Sequence, residues 1–274
     1  MKITAPVVKL LILFFLFLTT ANAQKLPKIQ LASLRAPADI KIDGKATEWN
    51  NVFQAYNPIN RIFYTVSNDD NNLYLIAQMG DSYANEKVIF GITFTIKVPM
   101  EKAVGKSTGN ITVIFPQPIN PRKEDAFRNR TTAARRLMND TTNAGRGKID
   151  SLSIAGNKQI DNLFKEIVVA GIKDISEPSI SIYNSEGIKA VAQFNSHMQY
   201  VYELAIPLKY LGIAINNGQK FKYNIKMNGR PAVSSTGIPT PTIEMPPNPS
   251  PSGMDNTFVD YATDFWGEYT LAKK

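Results

Sequence analysis

The chain has 274 residues, 43% hydrophobic and 20% charged, with 31 Lys and Arg against 23 Asp and Glu. That is a folding composition rather than a disordered one, and it supplies apolar mass for one substantial core. The absence of cysteine and the single histidine exclude disulfides, thiol chemistry, zinc-thiolate sites and multi-histidine centres.

The N-terminal stretch places Lys2 and Lys9 before an apolar run over 10–18, which ends in the small-residue pattern Ala21-Asn22-Ala23. Charge, short apolar stretch and small-x-small end in that order predict a secretory signal peptide, residues 1–23, cleaved after Ala23. The run is too short to span a bilayer and nothing later is long and apolar enough, so a secreted or periplasmic protein with no membrane span is expected. Cleavage removes two lysines and no acid, which lowers the formal charge from +8 to +6. So mild an excess fits a solvated basic surface, although it also favours anionic surfaces or polysaccharides. No motif of basic residues interleaved with aromatics points to nucleic acid. Residues 24–37 read as an N-terminal linker and residues 38–274 as a single domain.

Within that domain, residues 40–42 read as a strand before an Asp43-Gly44 turn, and Trp49 beyond it offers a large apolar body to the end of a core. Alternating or β-branched runs follow at 62–66, 73–77, 88–96, 111–115, 200–206 and 221–227, and these predict strands. Residues 67–72, rich in Asn and Asp, tolerate positive φ and predict a hairpin loop. Asp69 and Asp70 in that loop, with Asp81 beyond it, are the candidate ligands for Ca²⁺, which favours loop carboxylates; their spacing is not that of an EF-hand.

Residues 124–138 predict the only helix, with Phe127, Ala134, Leu137 and Met138 facing inward, inside an insertion at about 101–160. Between 122 and 148, eight basic residues meet three acids, so this segment holds most of the excess charge. It reads as a solvated insertion, with an anion-binding arm as the alternative. His197, the sole imidazole, falls in a predicted hairpin turn with no oriented acid or oxyanion site, so neither a nucleophilic triad nor a haem site is read there. Seven prolines over 231–253 remove backbone donors and predict a long loop, placed to rim a binding face before the last strand. In that strand, Phe265, Gly267, Tyr269 and Leu271 alternate with outward positions, and Trp266 is read as structural. The fold class is therefore all-β, an antiparallel β-sandwich of jelly-roll type whose sheets close around Trp49, Tyr74, Leu204 and Trp266.

Four runs carry a resemblance. They are 42–49 (IDGKATEW), 64–75 (YTVSNDDNNLYL), 202–208 (YELAIPL) and 264–271 (DFWGEYTL), and their order and spread cover most of 38–274. Together they resemble the carbohydrate-binding module family 9 type of β-sandwich, a branch of the DOMON-like group. The resemblance implies two aromatic rings, typically Trp, that sandwich a sugar end beside polar side chains. One ring is expected just before 85–90, where this chain has Tyr83 and Ala84, and the family's acid pattern there is replaced by Lys87-Val88-Ile89-Phe90. The second is expected before the closing strand, where Phe258 and Tyr261 are the aromatics. The resemblance thus implies Tyr83, Asn228, Arg230 and Tyr261 as ligand-lining residues, with no catalytic residue. The expected function is an exported, non-catalytic binding domain for a glycan or other extracellular ligand, with no cofactor beyond the candidate site for Ca²⁺. Two alternatives stand beside it: a cell-envelope accessory protein that keeps the sandwich without a sugar site and partners an envelope protein, and a glycoside hydrolase whose carboxylate pair the sequence does not mark.

Overall fold

The alternation resolves into two antiparallel sheets in a computed structural model, which describes residues 25–97, 107–117, 121–137, 142–213, 215, 218–233, 239–240 and 254–274. The signal peptide expected over 1–23, part of the expected insertion and most of the Pro-rich segment 231–253 lie outside the described residues. The first sheet joins β1 (Ala55–Asn57), β2 (Ile62–Asn68), β3 (Asn72–Met79), β8 (Lys189–Phe194) and β9 (Tyr200–Pro207) in the order β1-β2-β3-β9-β8. The second joins β4 (Ile92–Lys97), β5 (Ser107–Phe115), β6 (Glu166–Ile172), β7 (Ser179–Ser181), β10 (Lys220–Met227) and β13 (Thr263–Thr270) in the order β13-β10-β4-β5-β6-β7. Every pairing between these strands is antiparallel. A separate two-stranded pair, β11 (Ala232–Val233) and β12 (Pro239–Thr240), sits within the Pro-rich segment.

Side chains two apart along a strand share a face, so each strand sends alternate residues between the sheets. Leu73, Leu75, Ala77 and Met79 of β3, and Phe221, Tyr223, Ile225 and Met227 of β10, meet there in one buried cluster. Each of the Leu, Ile, Met and Phe side chains among them contributes roughly 1.5–3 kcal/mol by leaving water. The hydroxyls of Tyr64 and Tyr223 lie 3.2 Å apart inside this core and tie the two sheets together.

Two of the sequence runs that carried the resemblance touch directly. Gly44 adopts φ +80, a left-handed turn that a side chain would strain. That turn aims the N–H groups of Asp43 and Gly44 at Oε2 of Glu203, at 2.9 and 2.8 Å. Glu203 is 1% exposed, and burial pushes its carboxyl up to about 7 against the pull of the two N–H groups. Beside it, Trp49, Phe53 and Ala46 pack on Ile76 and Val201 as a second, smaller cluster on the outer face of the first sheet.

Several expectations need correction. Residues 40–42 form no strand; Ile40 instead packs against the smaller cluster. The run expected as one strand over 88–96 is divided. A helix α1 (Ser82–Lys87) and a 3₁₀ turn (Val88–Phe90) precede β4, because Asp81 caps the helix by accepting from the Ala84 N–H at 2.8 Å. The segment read as a linker packs along the sandwich edge: Gln30 is 4% exposed and its amide exchanges two 2.7 Å hydrogen bonds with the backbone of Val66. Among the described residues, the insertion holds two helices rather than one, α2 (Pro121–Leu137) and α3 (Asn143–Leu163). The inward contacts of Phe127 and Ala134 are borne out, with Phe127 centred 5.6 Å from the Phe194 ring. The buried positions of α3 are Gly145, Ser153, Gly156 and Ile160, and at Gly156 a Cβ would come within 2.8 Å of the Phe194 ring. Gly156 lets this helix approach β8 closely, while half-buried Ile149, Leu152 and Leu163 pack against the core beside Ile160.

Candidate functional site

The outer faces of the two sheets differ. On the first, Trp49 is covered and 7% exposed; on the second, Trp266 is 50% exposed. Trp266 was expected in the core. Phe265, Gly267, Tyr269 and Leu271 take the inner positions, so strand parity turns Trp266 outward. Of the four side chains expected around one core, only Leu204 lies between the sheets. Tyr74 is buried with its hydroxyl donating to Asp69 at 2.6 Å.

The strand register fixes what surrounds Trp266. Directly opposite stands Asn224, then Thr95, then Thr112. The Asn224 amide is held by the Asp264 carboxylate at 2.6 Å and the Phe265 carbonyl at 3.0 Å, which gives the indole a rigid bed. The next row runs Glu268, Lys222, Lys97, Asn110. Between β13 and the N-terminal segment lies an open groove of about 400 Å³ whose lining includes Trp266, Lys220, Lys222, Glu268, Thr270 and Ser33. Leu31, 87% exposed, stands on its other bank. A half-exposed ring beside hydroxyl, ammonium and carboxylate groups can stack on an apolar face and hydrogen-bond around it.

The four residues expected to line the site fall at another place. Tyr83 lies on α1, and the Arg61 guanidinium stands 5.7 Å from its ring and 4.2 Å from the Phe258 ring of α4 (Met254–Asp260). The buried Lys87 ammonium is 4.2 Å from the same Phe258 ring and donates to the Thr263 hydroxyl at 2.9 Å. Burial, then the charges of Arg61 and Lys226, push this lysine down to about 7. Arg230 pairs with Asp260 at 3.1 Å, next to half-buried Tyr261. Asn228 is committed to the fold: its amide donates to the Phe90 carbonyl at 3.1 Å and its oxygen accepts from the Thr93 hydroxyl at 3.0 Å. It is therefore corrected from ligand group to structural clamp. Neither Tyr83 nor Tyr261 lines the groove at Trp266.

The candidate calcium ligands are separated by the fold. Asp69 closes the β2–β3 turn, accepting from the N–H groups of Asn71 and Asn72 at 2.7 Å each. Burial pushes its carboxyl up, but the Tyr74 hydroxyl and those N–H groups outweigh it and hold it below the usual range. Asp70 pairs with Lys274 at 2.6 Å and Arg35 at 3.0 Å. Asp81 lies beyond the far end of the eight-residue strand β3, roughly 25 Å away at the rise of a β-strand, and pairs with Arg61 at 3.3 Å. The three acids do not share a cation. Among the described residues, no group of three or more His, Asp or Glu is placed to hold a metal.

A second cleft, of about 690 Å³, gathers residues that sequence leaves scattered: Asp81 before α1, Arg146 and Asp150 on α3, and His197 in the β8–β9 turn. His197 is exposed, as its turn position predicts, with Nδ1 3.4 Å from the Ser196 hydroxyl. Among the described residues, no helix is long and apolar enough to cross a membrane.

No family model matches the chain, and no curated protein matches it. Among solved structures, it is similar to a carbohydrate-binding module family 9 from Caldicellulosiruptor kristjanssonii in complex with glucose, at 11% identity and a TM-score of 0.37, over 89% of this chain and 96% of that one.

Proposed function

We propose that this protein is an exported, non-catalytic binding domain that holds a glycan against Trp266. The observation that carries the reading is the exposed indole among the polar outward residues of β4, β10 and β13, set in a groove with hydroxyl and charged groups around it. Saccharide rings have apolar C–H faces and hydroxyl rims, so a rigid indole beside polar side chains matches both. The four sequence runs that resemble family 9 modules support the same class of ligand, at a face other than the one that resemblance implied. Affinity electrophoresis through gels cast with a panel of polysaccharides tests it. The wild-type protein is retarded by at least one polymer, and Trp266→Ala migrates as in the blank gel with an unchanged unfolding midpoint. Retardation that survives Trp266→Ala places the ligand elsewhere.

The hydrolase reading has one observation in its favour: Asp81 and Asp150 share the 690 Å³ cleft. It requires reducing-end release from a glycan that Asp150→Asn abolishes, and absence of turnover removes it.

A further inference from the structure

We infer that the glycan held at Trp266 is an acidic polysaccharide, bearing uronate or sulfate groups. This rests on the binding reading above and names the ligand class for the same face. The argument starts from the register of the second sheet. Lys222 of β10 stands directly opposite Lys97 of β4, and both are exposed on the face that carries Trp266. Like charges directly opposite on neighbouring strands destabilise a sheet, and opposite charges are the usual arrangement. Here the acids on the face are engaged elsewhere. Glu268 stands opposite Lys222 in the register, yet its carboxylate pairs with Lys220 at 3.1 Å. Asp264 stands opposite Lys226 in the register, yet it accepts from the Asn224 amide.

Among the described residues, Lys97, Lys222 and Lys226 are in no ion pair. Four lysines and two acids thus occupy the outward positions of β4, β10 and β13. The two opposed ammonium groups lie in the row next to the indole. A polymer lying across the strands, one sugar on Trp266, brings the substituents of the following sugar over Lys222 and Lys97. Anionic substituents there relieve the repulsion that the free protein carries, while a neutral chain leaves it in place. Charge complementarity selects a polyanion, and the ring selects one with stacking faces.

The test uses polygalacturonate and its fully methyl-esterified counterpart, which share a backbone and differ in charge. Titration calorimetry is run with the wild type, Lys97→Gln/Lys222→Gln and Trp266→Ala, at low and high ionic strength, with unfolding midpoints as the control for folding. The wild type binds the acid form about tenfold tighter at low ionic strength, as expected for two exposed charge contacts. Salt reduces that preference. The double lysine variant loses the preference and keeps its affinity for the ester, whereas Trp266→Ala weakens both. Equal, salt-insensitive binding of the two polymers overturns the acidic assignment and leaves the glycan reading standing. Binding of neither polymer, nor of other acidic or neutral glycans, together with envelope-protein capture that Trp266→Ala abolishes, overturns both in favour of a protein partner.

Discussion

Glu203→Gln isolates the contact that ties two distant sequence runs into one structure. The carboxyl is 1% exposed and accepts from the Asp43 and Gly44 N–H groups at 2.9 and 2.8 Å. Burial, opposed by those hydrogen bonds and reinforced by the charges of Asp43 and Glu48, raises it from 4.5 to about 7. Between these values the folded protein binds a proton that the unfolded chain has released. Stability therefore falls as pH rises through that window and is flat on either side. At about 1.4 kcal/mol per pH unit, the loss is roughly 3 kcal/mol. Glutamine keeps an oxygen for both N–H groups and does not titrate, so the variant lacks this component of the slope while all other groups titrate as before. Urea unfolding at several pH values between about 4.5 and 7.5 measures it as the difference between wild type and variant. Parallel pH dependences for the two proteins refute the reasoning.

Further predictions concern other parts of the fold. Lys87 is held down to about 7 by burial and by Arg61 and Lys226, so between about 7 and 10.5 the unfolded chain holds a proton that the folded protein lacks. Stability rises with pH there, and Lys87→Met removes a rise of roughly 5 kcal/mol in the same urea series. Gly156→Val drives a side chain into the Phe194 ring, since even a Cβ would stand at 2.8 Å. The expected loss is about 1–3 kcal/mol, read as a lower thermal midpoint with the far-ultraviolet spectrum retained. Asp69→Ala leaves the Asn71 and Asn72 N–H groups and the Tyr74 hydroxyl without their acceptor. It costs about 1–3 kcal/mol by denaturant unfolding, and Asp69→Asn, which keeps an acceptor oxygen, costs less.

Strong period-two runs were legible without coordinates. Residues 62–66, 73–77, 111–115, 200–206 and 221–227 all lie within observed strands, and the Asn-rich turn joins β2 to β3 as read. Where side-chain capping competed with pattern, the reading failed: Asp81 starts a helix in a stretch whose downstream residues look like strand. In α3 the apolar core contacts Ile149, Leu152, Ile160 and Leu163 are interrupted by the small buried residues Ser153 and Gly156, which weakens the helical pattern in the sequence. Trp266 shows a limit of a different kind. Alternation tells which residues share a face, yet whether that face is covered depends on segments far away in sequence. Residues 46–53 cover the outer face of the first sheet, while Trp266 on the second stays half exposed. The clusters Arg61–Phe258–Lys87 and Asp81–Asp150–His197 likewise exist only through chain packing.

The most direct measurement follows the indole itself. The chain has two tryptophans, so Trp49→Phe leaves Trp266 as the only reporter. With acidic polysaccharide added, its emission moves to shorter wavelength in a saturable way as the ring leaves water, and the midpoint of that shift agrees with the calorimetric affinity. An emission maximum that stays fixed while the polymer demonstrably binds contradicts a site built on Trp266.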